Sequence, residues 1–164
     1  MKSNYMVASN PYLPNYKKIL VPHDGTEMSD KSLLHAANLA LLSKGEMIIL
    51  NVVDEQTVPP SILLAFLNEK GVESAKETLR MTIESSAKRF LDEKIKMCKE
   101  RGLENVSYTL KIGNPTDEIV NAAEELDADI IVMASSRISS IINVLGSTAR
   151  KVIDSTKRPV LIVH

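Results

Sequence analysis

The sequence predicts an α/β domain built as an open, five-stranded parallel sheet with helices on both faces. Three observations carry that reading. From Lys17 onward, short β-rich runs alternate with longer helical patterns, which is the order that parallel sheets require. Two of the runs, Met47 to Val53 and Asp129 to Met133, are almost wholly apolar, as strands covered on both faces are. The chain has 164 residues, 44% hydrophobic and 25% charged, enough for one core without disulfides or a structural metal.

The elements follow in order. Lys18 to Val21 reads as a strand that leads into the turn residues His23-Asp24-Gly25-Thr26. A helix is expected from Ser29 to Lys44, with Leu33, Ala37, Ala40 and Leu41 on one face and Gly45 as its stop. Met47 to Val53, interrupted only by Asn51, is expected to be a central strand. Residues 54–73, with Pro59-Pro60, are the least regular part. A long helix then runs to about Arg101, its apolar stripe formed by Leu79, Ile83, Ala87, Leu91, Ile95 and Cys98. Cys98, the chain's one cysteine, falls on that stripe and reads as a buried small hydrophobe. Val106, Tyr108 and Leu110 alternate with polar residues, the pattern of a half-exposed edge strand. Asn114-Pro115 is a helix start, because Asn can accept from the first free N–H groups while Pro fills a position whose N–H has no partner. That helix ends near Leu126. The strand at Asp129 to Met133 is followed by a helix from Ser147 to Thr156 and a last strand from Pro159 to His164.

Composition narrows the function. Twenty basic residues against 21 acidic ones give a net charge of −1, which offers no general attraction to nucleic acid or an anionic membrane. Aromatic residues are 4% with no tryptophan, too few for a base-stacking surface. No apolar run approaches the roughly 20 residues of a membrane span. Residues 1–16 lack a secretory pattern and read as a flexible polar tail ahead of a domain at 17–164, in a cytoplasmic protein.

Ligands of such a sheet sit beyond the carboxyl ends of its strands, where strand order reverses. The Gly146-Ser147-Thr148 step places backbone N–H groups and two hydroxyls at a helix start, an arrangement that holds phosphate; an ordinary Ser cap after a Gly turn is the simpler alternative. Asp24 can accept a hydrogen bond from a base or sugar, or can serve the turn alone. His23 and Asp24 adjoin in extended backbone, so their side chains are not expected to pair. The sequence contains no Walker loop, no GxGxxG after the first strand, no GxSxG and no clustered His/Cys ligands. Glu124-Glu125 falls on an outer helix face. No catalytic set is apparent.

Six segments together resemble the universal stress protein family: Lys18-Ile-Leu-Val-Pro-His-Asp-Gly-Thr26, Leu50-Asn-Val-Val-Asp54, Ile112-Gly-Asn-Pro-Thr-Asp-Glu-Ile119, Ala128-Asp-Ile-Ile-Val-Met133, Leu145-Gly-Ser-Thr148 and Arg158-Pro-Val-Leu-Ile-Val163. The resemblance implies a Rossmann-like three-layer sandwich of the adenine nucleotide alpha hydrolase-like kind, with strand order 3-2-1-4-5. It also implies a homodimer pairing the last strands, Val160 to Val163, which would cover an apolar sheet edge.

The family divides into members that bind ATP or AMP and members that do not. Its binders carry a GxxGx9G motif followed by Ser or Thr. Here Ala134 and Arg137 stand in place of the first two glycines, Gly146 and Ser147 are kept, and the spacing is one residue short. An arginine where a glycine needs positive φ costs roughly 1–2 kcal/mol; its guanidinium could compensate by pairing with phosphate, or its side chain could fill the pocket.

The resemblance places Asp24 at the adenine end, Val52 against the base, Pro22 and His23 beside them, Met133 and Ala134 at the end of the fourth strand, and Ser147 and Thr148 at the phosphates. Magnesium is implied only with ATP. Two functions stay open: a nucleotide-binding stress-response module without dedicated catalysis, and a non-nucleotide dimerisation module for an unidentified protein partner. Slow ATP hydrolysis is a third, for which the sequence offers no clear group to orient water. A phosphorylated receiver domain is a poor match, lacking the acidic pair after the first strand.

Overall fold

A computed structural model describes residues 14–54, 72–135 and 145–164. Its elements are β1 (Lys18–Pro22), α1 (Glu27–Ser43), β2 (Glu46–Val53), α2 (Val72–Lys99), β3 (Val106–Ile112), α3 (Pro115–Glu125), β4 (Ile130–Ala134), α4 (Ser147–Ser155) and β5 (Val160–Val163). All pairings are parallel, in the order β3-β2-β1-β4-β5. The middle strand is therefore β1, and β2 lies one place outward, because the first two crossovers run one way and the third returns to the other side of β1. As its alternation predicts, β3 is an edge.

Period-two side-chain placement divides the core into two layers. Ile19, Val21, Met47, Ile49 and Val132 face α1 and α2, where Leu33, Ala36, Ala40, Leu91 and Cys98 meet them. Leu20, Ile48, Leu50, Ile131 and Met133 face α3 and α4, packing on Ile119, Ala122, Ala123, Ala149 and Val152. Alanines at the helix contacts let the backbones approach the sheet closely. Cys98 is fully buried, which pushes its thiol pKa up.

Several boundaries differ from the sequence reading. Tyr16 packs against the first core layer, so the chain joins the fold before Lys17; residues 1–13 lie outside the described residues. α1 begins two residues early, because the Thr26 side chain accepts from the Ser29 N–H and caps it. At its other end the left-handed residue is Lys44 (φ 52°), not Gly45. Gly45 is needed for a different reason: a Cβ there would lie 2.4 Å from the Lys17 carbonyl oxygen, which accepts the Glu46 N–H. α3 starts as expected, with Asn114 Oδ1 accepting from Thr116 N–H at 2.9 Å and Pro115 in the first turn. The exposed pair Glu124 and Glu125 meets Arg158 and Lys111, at 3.1 and 2.7 Å.

Candidate functional site

Strand order reverses between β1 and β4, and the loops leaving their carboxyl ends open a cleft of about 260 Å³. Pro22, His23, Asp24, Val52, Met133, Ala134, Gly146, Ser147 and Thr148 all line it. Arg137 lies outside the described residues. The cleft also takes Thr26, Met28, Ser29, Leu50, Pro115, Ile119 and Ala149, none of which the sequence singles out as a site residue. Leu50 was recoverable from Val52, since residues two apart on a strand share a face. Pro115 lies in one of the loops at the strands' carboxyl ends where a ligand is expected, and Ile119 follows it one helical turn later.

One lip is the β1–α1 turn. Gly25 adopts φ 89°, a conformation that favours glycine, and this turns the chain back over the strand end. Asp24 Oδ1 accepts from the Thr26 N–H at 3.0 Å, the Thr26 hydroxyl at 2.7 Å and the Ser29 hydroxyl at 2.6 Å. Its Oδ2 carries no bond to a described residue. Desolvation would raise the carboxyl pKa, but these hydrogen bonds outweigh it and hold Asp24 below the usual carboxylate range. An anionic acceptor is thus fixed at the cleft mouth.

His23 is buried beside it. Its Nδ1 accepts from the Gly25 N–H at 3.1 Å, so Nε2 carries the proton and donates to Asp30 Oδ1 at 3.0 Å. Asp30 is also paired with Lys94 of α2, and the His23 ring stands edge-on to Phe90, centroids 5.1 Å apart. Burial lowers the His23 pKa more than Asp30 and Asp24 raise it, and Lys94 adds to the lowering. Asn51, the polar residue in the β2 run, donates to the His23 carbonyl at 2.8 Å, tying the turn to β2. As expected, His23 and Asp24 do not pair; each has its own partners.

The opposite lip is the start of α4. Gly146 is its N-cap and no side chain caps the helix, so Ser147 and Thr148 occupy the first turn instead of serving as a Ser cap. The Gly146 N–H donates to the buried Ser135 hydroxyl at 3.0 Å, and the Ser135 N–H donates to the Val163 carbonyl. These bonds hold the helix start against the ends of β4 and β5. Between the lips, Leu50, Val52, Ile119 and Met133 supply apolar walls. The site therefore joins a fixed carboxylate, an apolar slot and backbone donors suited to an anion.

Fold and cleft define a doubly wound α/β domain with a ligand crevice at its strand reversal. A family model for the universal stress protein family matches residues 15–164. Universal stress protein MJ0577 of Methanocaldococcus jannaschii is 36% identical over 159 residues, which cover 90% of this chain and 94% of that protein. The chain belongs to the universal stress protein family. The solved structure of MJ0577 superimposes with TM-score 0.73 at 31% identity, covering 91% of this chain and 96% of that one. Two structures of lower identity share the fold: a universal stress protein in complex with cAMP (TM-score 0.67, 23% identical, covering 92% and 98%), and one from Archaeoglobus fulgidus in complex with dAMP (TM-score 0.59, 23% identical, covering 92% and 99%). No helix among the described residues is long and apolar enough to cross a membrane.

Proposed function

We propose that the cleft binds an adenine nucleotide, ATP or AMP, and that the protein is a cytoplasmic, dimeric stress-response module without dedicated catalysis. One observation carries the reading: the Asp24 carboxylate and the α4 start, uncapped by any side chain, face each other across one apolar slot. The slot suits a flat base, Asp24 suits the hydrogen-bond donors of a base or ribose, and the N–H groups of Ser147 and Thr148 suit a phosphate. Fold neighbours that hold cAMP and dAMP support the choice of an adenine nucleotide. Magnesium belongs to the proposal only as the companion of ATP. The dimer would pair β5, an edge strand whose Leu161 is 40% exposed.

Isothermal titration with ATP and AMP tests the proposal. Heat saturating at one site per chain is expected, with affinity reduced about tenfold or more in Asp24→Ala, since a hydrogen bond to a charged group contributes roughly 1.5–3 kcal/mol. No heat at tens of micromolar protein would leave the non-nucleotide interaction module.

A further inference from the structure

We propose that His23 is a positioning residue: its imidazole holds the Asp24–Thr26 turn in the ligand-accepting shape by taking the Gly25 N–H on Nδ1. The inference rests on the nucleotide reading of the cleft for its consequence on affinity, though not for its geometry. The ring is fully buried as a side chain and engaged at both nitrogens. Nε2–H donates to Asp30 on α1, and Asp30 is pinned in turn by Lys94 on α2, whose ammonium lies 5.2 Å from the Phe90 ring centroid. A carboxylate can only accept, so Asp30 forces the proton onto Nε2 and leaves Nδ1 as an acceptor. That acceptor meets the N–H of the residue in the turn with positive φ, Gly25. The side chains of α1 and α2, on the far layer of the domain, thereby set the backbone beside Asp24.

Protonation removes the acceptor. With a proton on both nitrogens, Nδ1–H would point at the Gly25 N–H, two donors facing each other, and the turn would have to move. The charged groups facing the ring are Asp30 from α1, Lys94 from α2 and Asp24 from the turn itself. Burial and Lys94 oppose the imidazolium while the two carboxylates favour it, and the balance keeps the ring neutral near pH 7. Affinity at the cleft is then expected to fall as the pH drops below the ordinary imidazole range of about 6.5, well above the range in which Asp24 itself protonates.

Two substitutions separate positioning from packing. His23→Asn places an amide oxygen near the position of Nδ1, keeping an acceptor for Gly25 and losing Asp30. His23→Gln places its amide nitrogen near Nε2, keeping Asp30 and losing the acceptor. Positioning predicts that AMP binds about fivefold more weakly to His23→Gln, the worth of one net hydrogen bond. In His23→Asn the loss is smaller and the acid dependence disappears. If packing alone mattered, His23→Gln would bind as well as or better than His23→Asn, and the proposal would be overturned.

A measurement on the ligand-free protein keeps the test independent of the nucleotide reading. In nitrogen-15 spectra Nδ1 should resonate as an unprotonated nitrogen and Nε2 as a protonated one, and the Gly25 amide should shift as His23 titrates. A protonated Nδ1 at pH 7.5, or a Gly25 amide indifferent to that titration, would refute the positioning role. Absence of AMP and ATP binding at every pH would refute the nucleotide reading, while the spectra still decide the role of His23.

Discussion

Ser29→Ala tests the electrostatic construction of the cleft lip. The Ser29 hydroxyl, itself buried, donates to Asp24 Oδ1 at 2.6 Å, a length typical of a charge-assisted bond. Such bonds contribute roughly 1.5–3 kcal/mol when shielded. Asp24 is exposed and keeps two bonds from Thr26, so the lower end applies, discounted to about 1 kcal/mol. Alanine also favours the first turn of α1 by a few tenths of a kcal/mol over serine, which partly masks the loss. A double-mutant cycle with Asp24→Ala cancels that contribution and should return a coupling energy of about 1 kcal/mol.

Urea unfolding reads this as a midpoint shift of about 0.5 M for a slope near 2 kcal/mol/M. In Ser29→Ala, the Asp24 titration followed by carboxyl NMR should move up toward the ordinary carboxylate value. A coupling below about 0.3 kcal/mol with an unmoved Asp24 titration would show that the Thr26 bonds alone fix the carboxylate.

Gly45→Ala should destabilise the fold by about 2 kcal/mol, because the new Cβ meets backbone that can yield only by breaking the Glu46 to Lys17 bond. Thermal unfolding would show a loss of about 4–8 °C, and a change under 1 °C would contradict the close approach. His23 has a lowered pKa, so the unfolded chain takes up a proton before the native one does. Its contribution is complete above about pH 6.5 and is lost as the pH falls through the native pKa. Asp24 and Asp30, also lowered, add a second loss below about pH 4. Urea midpoints from pH 8 to 3 should fall in that order, and His23→Asn should flatten the upper step; an upper step unchanged in that variant would assign it elsewhere. If β5 pairs two copies as proposed, the unsubstituted protein should sediment as a dimer and Leu161→Lys as a monomer; a dimer that survives the substitution would place the interface elsewhere, and a monomer without it would refute the pairing.

The fold was legible because its signals are local and repeat. Apolar runs marked β1, β2 and β4, period-two alternation marked β3 as an edge, and Asn114-Pro115 marked the start of α3. Nine of the ten expected site residues line one cleft because the chain leaves β1 and β4 toward opposite faces of the sheet, which opens a crevice where the strand order reverses. What escaped the sequence depends on contacts distant along the chain. Lys44 takes the left-handed conformation because Gly45 is committed to passing under Lys17, 28 residues earlier. The partnership of His23 with Asp30 is stabilised by Lys94, 64 residues beyond Asp30, and no local pattern announces it. Thr26 reads as a turn residue and Ser29 as a helix start; their second task, presenting Asp24, appears only once the turn at Gly25 is formed.

The most direct test of the account is a crystal structure of the protein grown with AMP. The phosphate is expected at the start of α4, accepting from the Ser147 and Thr148 N–H groups, with the nucleoside lying between Val52 and Met133 and reaching Asp24. A nucleotide bound elsewhere, or a cleft filled by the chain's own side chains in saturating AMP, would contradict it.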